Sequence, residues 1–167
     1  WKAKGMTMCE IPPIRMLVLT LTGRCNFKCL YCYASEQDPV DMTEETAIAA
    51  VALAHVSKNQ FLLQFSGGEP LLQFPLIRKV VDFVEKNHVN AQMQIQTNGA
   101  LLTKDIGKWL FDHHVGIGIS CDGRPELMNS LRVSKDGDRS SQKVIQAFQN
   151  LGESNIEAGI TCVVTDD

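Results

Sequence analysis

The sequence lacks any apolar run long enough to cross a bilayer. Its longest, residues 16–21 (MLVLTL), falls far short of the roughly 20 residues a spanning helix needs. It also lacks an excess of basic charge. Sixteen Lys and Arg stand against 19 Asp and Glu, a net charge of −3, so no nucleic-acid footprint is evident. Histidine is scarce, and His55, His88, His113 and His114 show no ligand spacing to the cysteines; they read as helix-face or surface residues. A secreted disulfide scaffold is excluded too, because such scaffolds are short and loop-rich whereas this chain is full of helix and strand patterns. What remains is ordinary globular composition, 44% hydrophobic and 21% charged, in 167 residues that read as one domain, 1–167, of a cytoplasmic protein.

The periodicity alternates. Residues 16–21 are a continuous apolar run suited to a strand buried on both faces. Thr43 reads as a helix N-cap, with Glu44 and Glu45 in the first turn and Ile48, Val51, Ala52 and His55 on one face. Residues 61–65 predict a strand, and Leu76, Val80, Phe83 and Val84 a second helix. Met93 and Ile95 alternate with Gln92, Gln94 and Gln96, a third strand ended by Asn98-Gly99. Ile106, Leu110 and Phe111 mark a helix, residues 115–120 a glycine-thinned strand, Val144, Ile145, Phe148 and Leu151 a fourth helix, and residues 160–164 a fifth strand. Residues 134–141 read as a solvated loop. Strict alternation of this kind predicts an α/β fold with a parallel sheet, open or curled into a barrel.

The unusual residues follow the strands. Cysteines 25, 29 and 32 come after the first, Gly67-Gly68-Glu69-Pro70 after the second, Thr97-Asn98-Gly99 after the third, and Ser120-Cys121-Asp122-Gly123 after the fourth. In parallel α/β architectures the strand C-terminal ends open on one face, where ligands bind. Four polar or glycine-rich loops are therefore expected to converge on one site.

The segment CNFKCLYCY spaces its cysteines as Cys-x3-Cys-x2-Cys. Zinc sites want four protein ligands, or three and water, and ferredoxin clusters want four cysteines; neither four-cysteine pattern is completed here. Three thiolates leave one iron of a cubane cluster with an open position, a catalytic arrangement rather than an electron wire. The alternatives are three core cysteines, a catalytic or structural zinc loop, or a non-catalytic module with a structural zinc or iron loop.

The triad, with Phe27 inside it and Tyr31 before the last cysteine, resembles the signature of the radical S-adenosylmethionine (SAM) superfamily. The Gly67-Gly68-Glu69-Pro70 motif lies where that family's second-strand motif lies. The segments Gln96-Thr97-Asn98-Gly99 and residues 118–123 (GISCDG), with Arg132 after them, resemble the peptide- and sulfatase-maturing subgroup, whose members often carry a Cys-rich SPASM domain. The resemblance implies a partial (βα)6 radical SAM barrel, truncated after its fifth strand, in a sequence excerpted from a longer one. It also implies reductive cleavage of SAM to a 5′-deoxyadenosyl radical at a [4Fe–4S] cluster, a peptide or protein substrate, and a reductant such as flavodoxin or ferredoxin. No nucleic acid or membrane partner is implied. A radical SAM enzyme acting on a nucleotide or small metabolite is the alternative within the family.

By the same resemblance, Cys25, Cys29 and Cys32 ligate the cluster. Gly67 and Gly68 let backbone approach closely, and Glu69 accepts a hydrogen bond from the SAM ammonium. Tyr31 contacts adenine, Ser120 the ribose or carboxylate, and Arg132 the carboxylate. Asn98 and Asp122 line the site or cap turns. Cys121 and Cys162 read as packing residues, and Cys9 has no assignment.

Overall fold

A computed structural model describes residues 13–34, 38–56 and 58–164. Cys9, left unassigned by the sequence, lies outside them. In chain order the elements are β1 (Met16–Thr20), β2 (Phe27–Cys29), α1 (Glu44–His55), β3 (Phe61–Ser66), a 3-10 turn (Pro70–Gln73), α2 (Phe74–Lys86), β4 (Ala91–Thr97), α3 (Lys104–Asp112), β5 (Val115–Ser120), α4 (Pro125–Leu131), β6 (Arg132–Ser134), α5 (Ser140–Gly152) and β7 (Gly159–Thr161). Among them no helix is long and apolar enough to cross a membrane.

Five strands form one parallel sheet in the order β1-β3-β4-β5-β7. Its two faces differ in chemistry because side chains alternate along each strand. Leu63 and Phe65 of β3, Ile95 of β4 and Ile119 of β5 are buried in the hydrophobic core with Val80, Val81, Leu110, Val144 and Leu151 of the helices. Each such large side chain contributes about 1.5–3 kcal/mol when fully buried. The opposite face carries Gln64, Gln94, Gln96, Gly116, Gly118 and Ser120, half-buried or exposed. Gln94 Nε2 donates to Gln64 Oε1 across neighbouring strands at 2.7 Å. This face borders a cavity of about 560 Å³ that reaches Gly159, Ile160 and Thr161.

The helices start where local chemistry says they should. Thr43 Oγ1 accepts from the Thr46 N–H and Thr103 Oγ1 from the Ile106 N–H, each at 3.2 Å, so both cap a helix. The buried face of α1 is Ala47, Val51 and Ala54, and Ala52, expected on that face, is exposed.

Several expectations are corrected, beginning with β1, which is an edge strand with Met16 and Val18 exposed rather than buried on both faces. A second, antiparallel sheet of β2 and β6 was not foreseen, nor was α4. Residues 134–141 are not a uniformly solvated loop, since Ser134 ends β6, Ser140 and Ser141 begin α5, and all three are buried. Their hydroxyls are small enough to bury with a partner: Ser134 bonds Asp136, and Ser140 bonds the Met128 carbonyl. The last strand covers only Gly159–Thr161 and is exposed throughout. Cys162 therefore lies beyond it and is exposed rather than packed, whereas Cys121 packs against the core beside Met128, with sulfurs 3.7 Å apart.

Candidate active site

The loop after β1 carries the three cysteines and is braced at three places. The first brace is the Gly67-Gly68 pair after β3. Gly68 N–H donates to the Thr22 carbonyl at 2.7 Å and Glu69 N–H to the Arg24 carbonyl at 2.9 Å. A Cβ on Gly68 would lie 2.2 Å from the Arg24 oxygen, and one on Gly67, whose φ is +142°, would lie 2.5 Å from the Thr22 oxygen. The close approach that requires glycine is thus to the backbone leading into Cys25.

The second brace is the β2–β6 ribbon, in which Phe27 pairs with Ser134, Lys28 with Val133 and Cys29 with Arg132. Leu30 N–H donates to the Leu131 carbonyl at 2.8 Å and Lys135 N–H to the Asn26 carbonyl at 3.0 Å, extending it at both ends. Phe27, 3% exposed, anchors the loop in the interior.

The third brace is Asp122, just past β5. The Arg132 guanidinium grips its carboxylate with two bonds, Nε to Oδ2 at 2.6 Å and Nη2 to Oδ1 at 3.0 Å. Tyr31 O–H donates to the same Oδ2, and the Val163 N–H to Oδ1 at 3.1 Å. Arg132 also lies 5.4 Å from the Tyr31 ring centroid, within cation–π range. Burial alone would raise the Asp122 carboxyl, but the bonds from Arg132, Tyr31 and Val163 outweigh it and hold it below the usual range. Burial, and then the bond to Asp122, push the Tyr31 phenol up. Asp122 is therefore more than a turn cap: it joins the cysteine loop, β6 and the exit from β7.

Glu69 is completely enclosed, at 0% exposed. Oε1 accepts from Thr97 Oγ1 at 2.6 Å and from the Leu71 N–H at 3.1 Å, while Oε2 accepts from the Asn98 N–H at 2.8 Å. A carboxylate offers about four lone-pair positions, and the protein fills three. Burial pushes the Glu69 carboxyl up, with the three donors working against it. Its side chain braces the loop after β4, a role the sequence did not suggest. Asn98, placed by that loop, does two things at once. Its Oδ1 accepts from the Ala100 N–H at 2.9 Å, capping the turn, and its Nδ2 donates to Asn26 Oδ1 at 2.8 Å and reaches Cys25 Sγ at 3.7 Å.

The cysteines of the triad are free thiols, each half-buried. Burial, joined by the charges of Glu69 and Cys32, raises the Cys25 thiol despite the N–H of Phe27 at 3.4 Å. Burial pushes Cys29 up to about 11, against the lowering influence of Arg132. Such thiols ionise readily only when a cation compensates them, which is what metal ligation supplies. Among the described residues no three His, Cys, Asp or Glu side chains gather around a point able to hold a single ion. A cubane cluster does not require that, because its thiolates sit on separate irons. Three soft donors on one loop, with the Phe27 N–H and the Asn98 amide aimed at the Cys25 sulfur, fit a [4Fe–4S] cluster.

The comparisons with known proteins agree with this geometry. Residues 19–166 match the radical SAM superfamily, and the chain belongs to it. It is 39% identical over 155 residues to the uncharacterized protein MJ0907 of Methanocaldococcus jannaschii, covering 92% of this chain and 54% of that one. It is 29% identical over 169 residues to the cysteine-type anaerobic sulfatase-maturating enzyme of Clostridium perfringens, covering 94% and 46%. Among solved structures, native anSMEcpe with bound AdoMet and the Cp18Cys peptide superposes with a TM-score of 0.82 at 28% identity, covering 92% of this chain and 44% of that one. The chain thus spans about half the length of these relatives. The fold is a partial radical SAM barrel, and SAM and a [4Fe–4S] cluster are the family's cofactors.

Proposed function

We propose that this chain forms the cofactor-binding part of an enzyme that cleaves SAM reductively and modifies a peptide or protein side chain. The observation that carries the reading is the triple bracing of three half-buried free thiols at the end of the sheet where four strand-end loops meet. When bound, the cluster would supply the one-electron reducing chemistry that opens SAM at its S–C5′ bond to methionine and a 5′-deoxyadenosyl radical for hydrogen-atom abstraction from the substrate. The chain's own residues bind and orient. Cys25, Cys29 and Cys32 hold the cluster, and the Phe27 N–H and Asn98 amide stabilise charge on the Cys25 sulfur. Gly67 and Gly68 hold the cysteine loop against β3, and Glu69, enclosed in this structure with a single donor on Oε2, would take the SAM ammonium there once the ligand displaces the atoms that cover it. Ser120 would contact the ribose or carboxylate. Arg132 keeps Nη1 free of Asp122 and would offer it to the carboxylate. Tyr31, its ring fixed by Asp122, would meet the adenine. The peptide substrate is supported by the sulfatase-maturating relative and its peptide complex, and a flavodoxin or ferredoxin would deliver the electron.

The test uses the full-length protein, reconstituted anaerobically. Cys29→Ala is expected to hold about four irons per chain fewer than wild type, as loss of one three-cysteine cluster requires. Dithionite and SAM should then yield 5′-deoxyadenosine, and cysteine- or serine-containing peptides should raise that yield. Iron content unchanged in Cys29→Ala would sink the cluster assignment; stimulation by nucleosides rather than peptides would move the substrate class.

A further inference from the structure

We propose that Gln96 is a positioning residue for SAM, acting through the hydroxyl of Ser120; the inference rests on the assignment of Ser120 given above. Gln96 lies near the end of β4, on the sheet face away from the helices, next to the loop that Glu69 braces. Its amide is held at both ends. Thr161 Oγ1 of β7 donates to Oε1 at 3.0 Å, and Nε2 donates to Ser120 Oγ of β5 at 3.0 Å.

The direction of that second bond decides what Ser120 can do. A serine hydroxyl has one proton and two lone pairs. Gln96 occupies a lone pair, and among the described residues Ser120 Oγ makes no other hydrogen bond. The Ser120 proton is therefore left to donate outward, as a carboxylate or ribose oxygen of SAM requires. Thr161 is matched to that arrangement: its Oγ1 donates to Oε1 on the β7 side, with the Gln96 nitrogen facing Ser120. Gly118 makes room for the chain of bonds, because a Cβ there would lie 2.5 Å from Gln96 Oε1. Three strands thus combine to aim one hydroxyl proton.

The experiment is a SAM titration of anaerobic, cluster-loaded full-length protein by calorimetry, with iron content and melting temperature recorded for every variant. Gln96→Met keeps the length and removes the donor, and should weaken SAM binding about three- to ten-fold, the effect of one lost hydrogen bond. Gln96→Glu keeps the shape but accepts from Ser120 instead, and should weaken it further than Gln96→Met. In a Ser120→Ala background the Gln96→Met effect should vanish, with iron content unchanged throughout. Thr161→Val, on the exposed edge strand, should cost about two-fold and serves if the Gln96 variants fold poorly. If Ser120→Ala leaves SAM affinity intact, the Ser120 assignment fails and takes this inference with it. If Ser120→Ala weakens binding but Gln96→Met and Thr161→Val do not, or if the Gln96→Met and Ser120→Ala losses simply add, the role of Gln96 is overturned while that of Ser120 stands.

Discussion

Cys29 and Arg132 sit directly opposite each other across the β2–β6 ribbon. The middle cysteine of the triad therefore lies, in a ribbon bonded on either side of it, directly across from the residue whose side chain grips Asp122. The Arg132 and Asp122 side chains are 7% and 0% exposed, so this is a desolvated, bidentate pair rather than a surface contact. Loop geometry and ion pairing are consequently one problem in this site.

Asp122→Asn should lower stability by about 3 kcal/mol, because it leaves a buried guanidinium without its counter-charge. Arg132→Lys should also be destabilising, since an ammonium cannot reproduce the two parallel bonds. Urea unfolding of the apo-protein measures both, and iron uptake on reconstitution should fall in step. Wild-type stability in Asp122→Asn would show that the pair contributes nothing net.

Acid should act through the same carboxylate. A carboxyl held below its unfolded value, near 3.9, contributes stability that is present above that value and lost as pH falls through the lower, folded one. The apo-protein should therefore lose stability below about pH 4, and Asp122→Asn should flatten that part of the curve. Parallel curves for the two proteins would assign the acid sensitivity elsewhere.

Gly68→Ala should disrupt the cysteine loop, because the nearest atoms to the new methyl are backbone and cannot rotate away. A cost of about 1–3 kcal/mol with reduced iron uptake is expected. Gly152→Ala, at the end of α5 with nothing within 4 Å of the added carbon, is the matched control and should be neutral or stabilising by up to about 1 kcal/mol. Thermal melts of the two variants give the comparison.

Thiol reactivity should separate the cysteines. Among the described cysteines, exposed Cys162 should alkylate first, whereas Cys29, pushed up to about 11, should react slowly at pH 8 and faster as pH rises. Peptide mapping after timed iodoacetamide treatment of the apo-protein reads this directly, and cluster loading should protect the triad. Rapid alkylation of Cys29 at pH 8 would contradict its burial.

Glu69→Gln should destabilise the apo-protein by about 1–3 kcal/mol, before any ligand is added. A glutamine has one oxygen for three donors and turns an N–H₂ toward one of them. An unfolding curve matching wild type would mean that the carboxylate does not brace the loop.

The sheet was legible in the sequence because its strands announce themselves. Phe61, Leu63 and Phe65 alternate with half-exposed residues, and Met93 and Ile95 alternate with glutamines, as a sheet with one face under helices demands. The cysteines and the four loops were legible because such residue types rarely cluster after every strand. The β2–β6 ribbon was not, since three-residue strands carry no period and one of them lies inside the cysteine motif. The short helix Pro125–Leu131 has too few turns to show a repeat. Glu69 and Asp122 were seen as candidates, but their partners Thr97, Asn98, Arg132 and Val163 come from other loops, and only the tertiary structure brings them together.

The β2–β6 pairing also orders events in time. A ribosome delivers the three cysteines early, yet the strand that clasps their loop, and the arginine that locks it, emerge only after three more strands of the main sheet have been made. Until then the thiols sit on a nascent segment with one side of its frame missing. Iron delivered to that segment would meet a loop without its final shape, so productive cluster insertion belongs after synthesis of this region, on a chain already folded through β6.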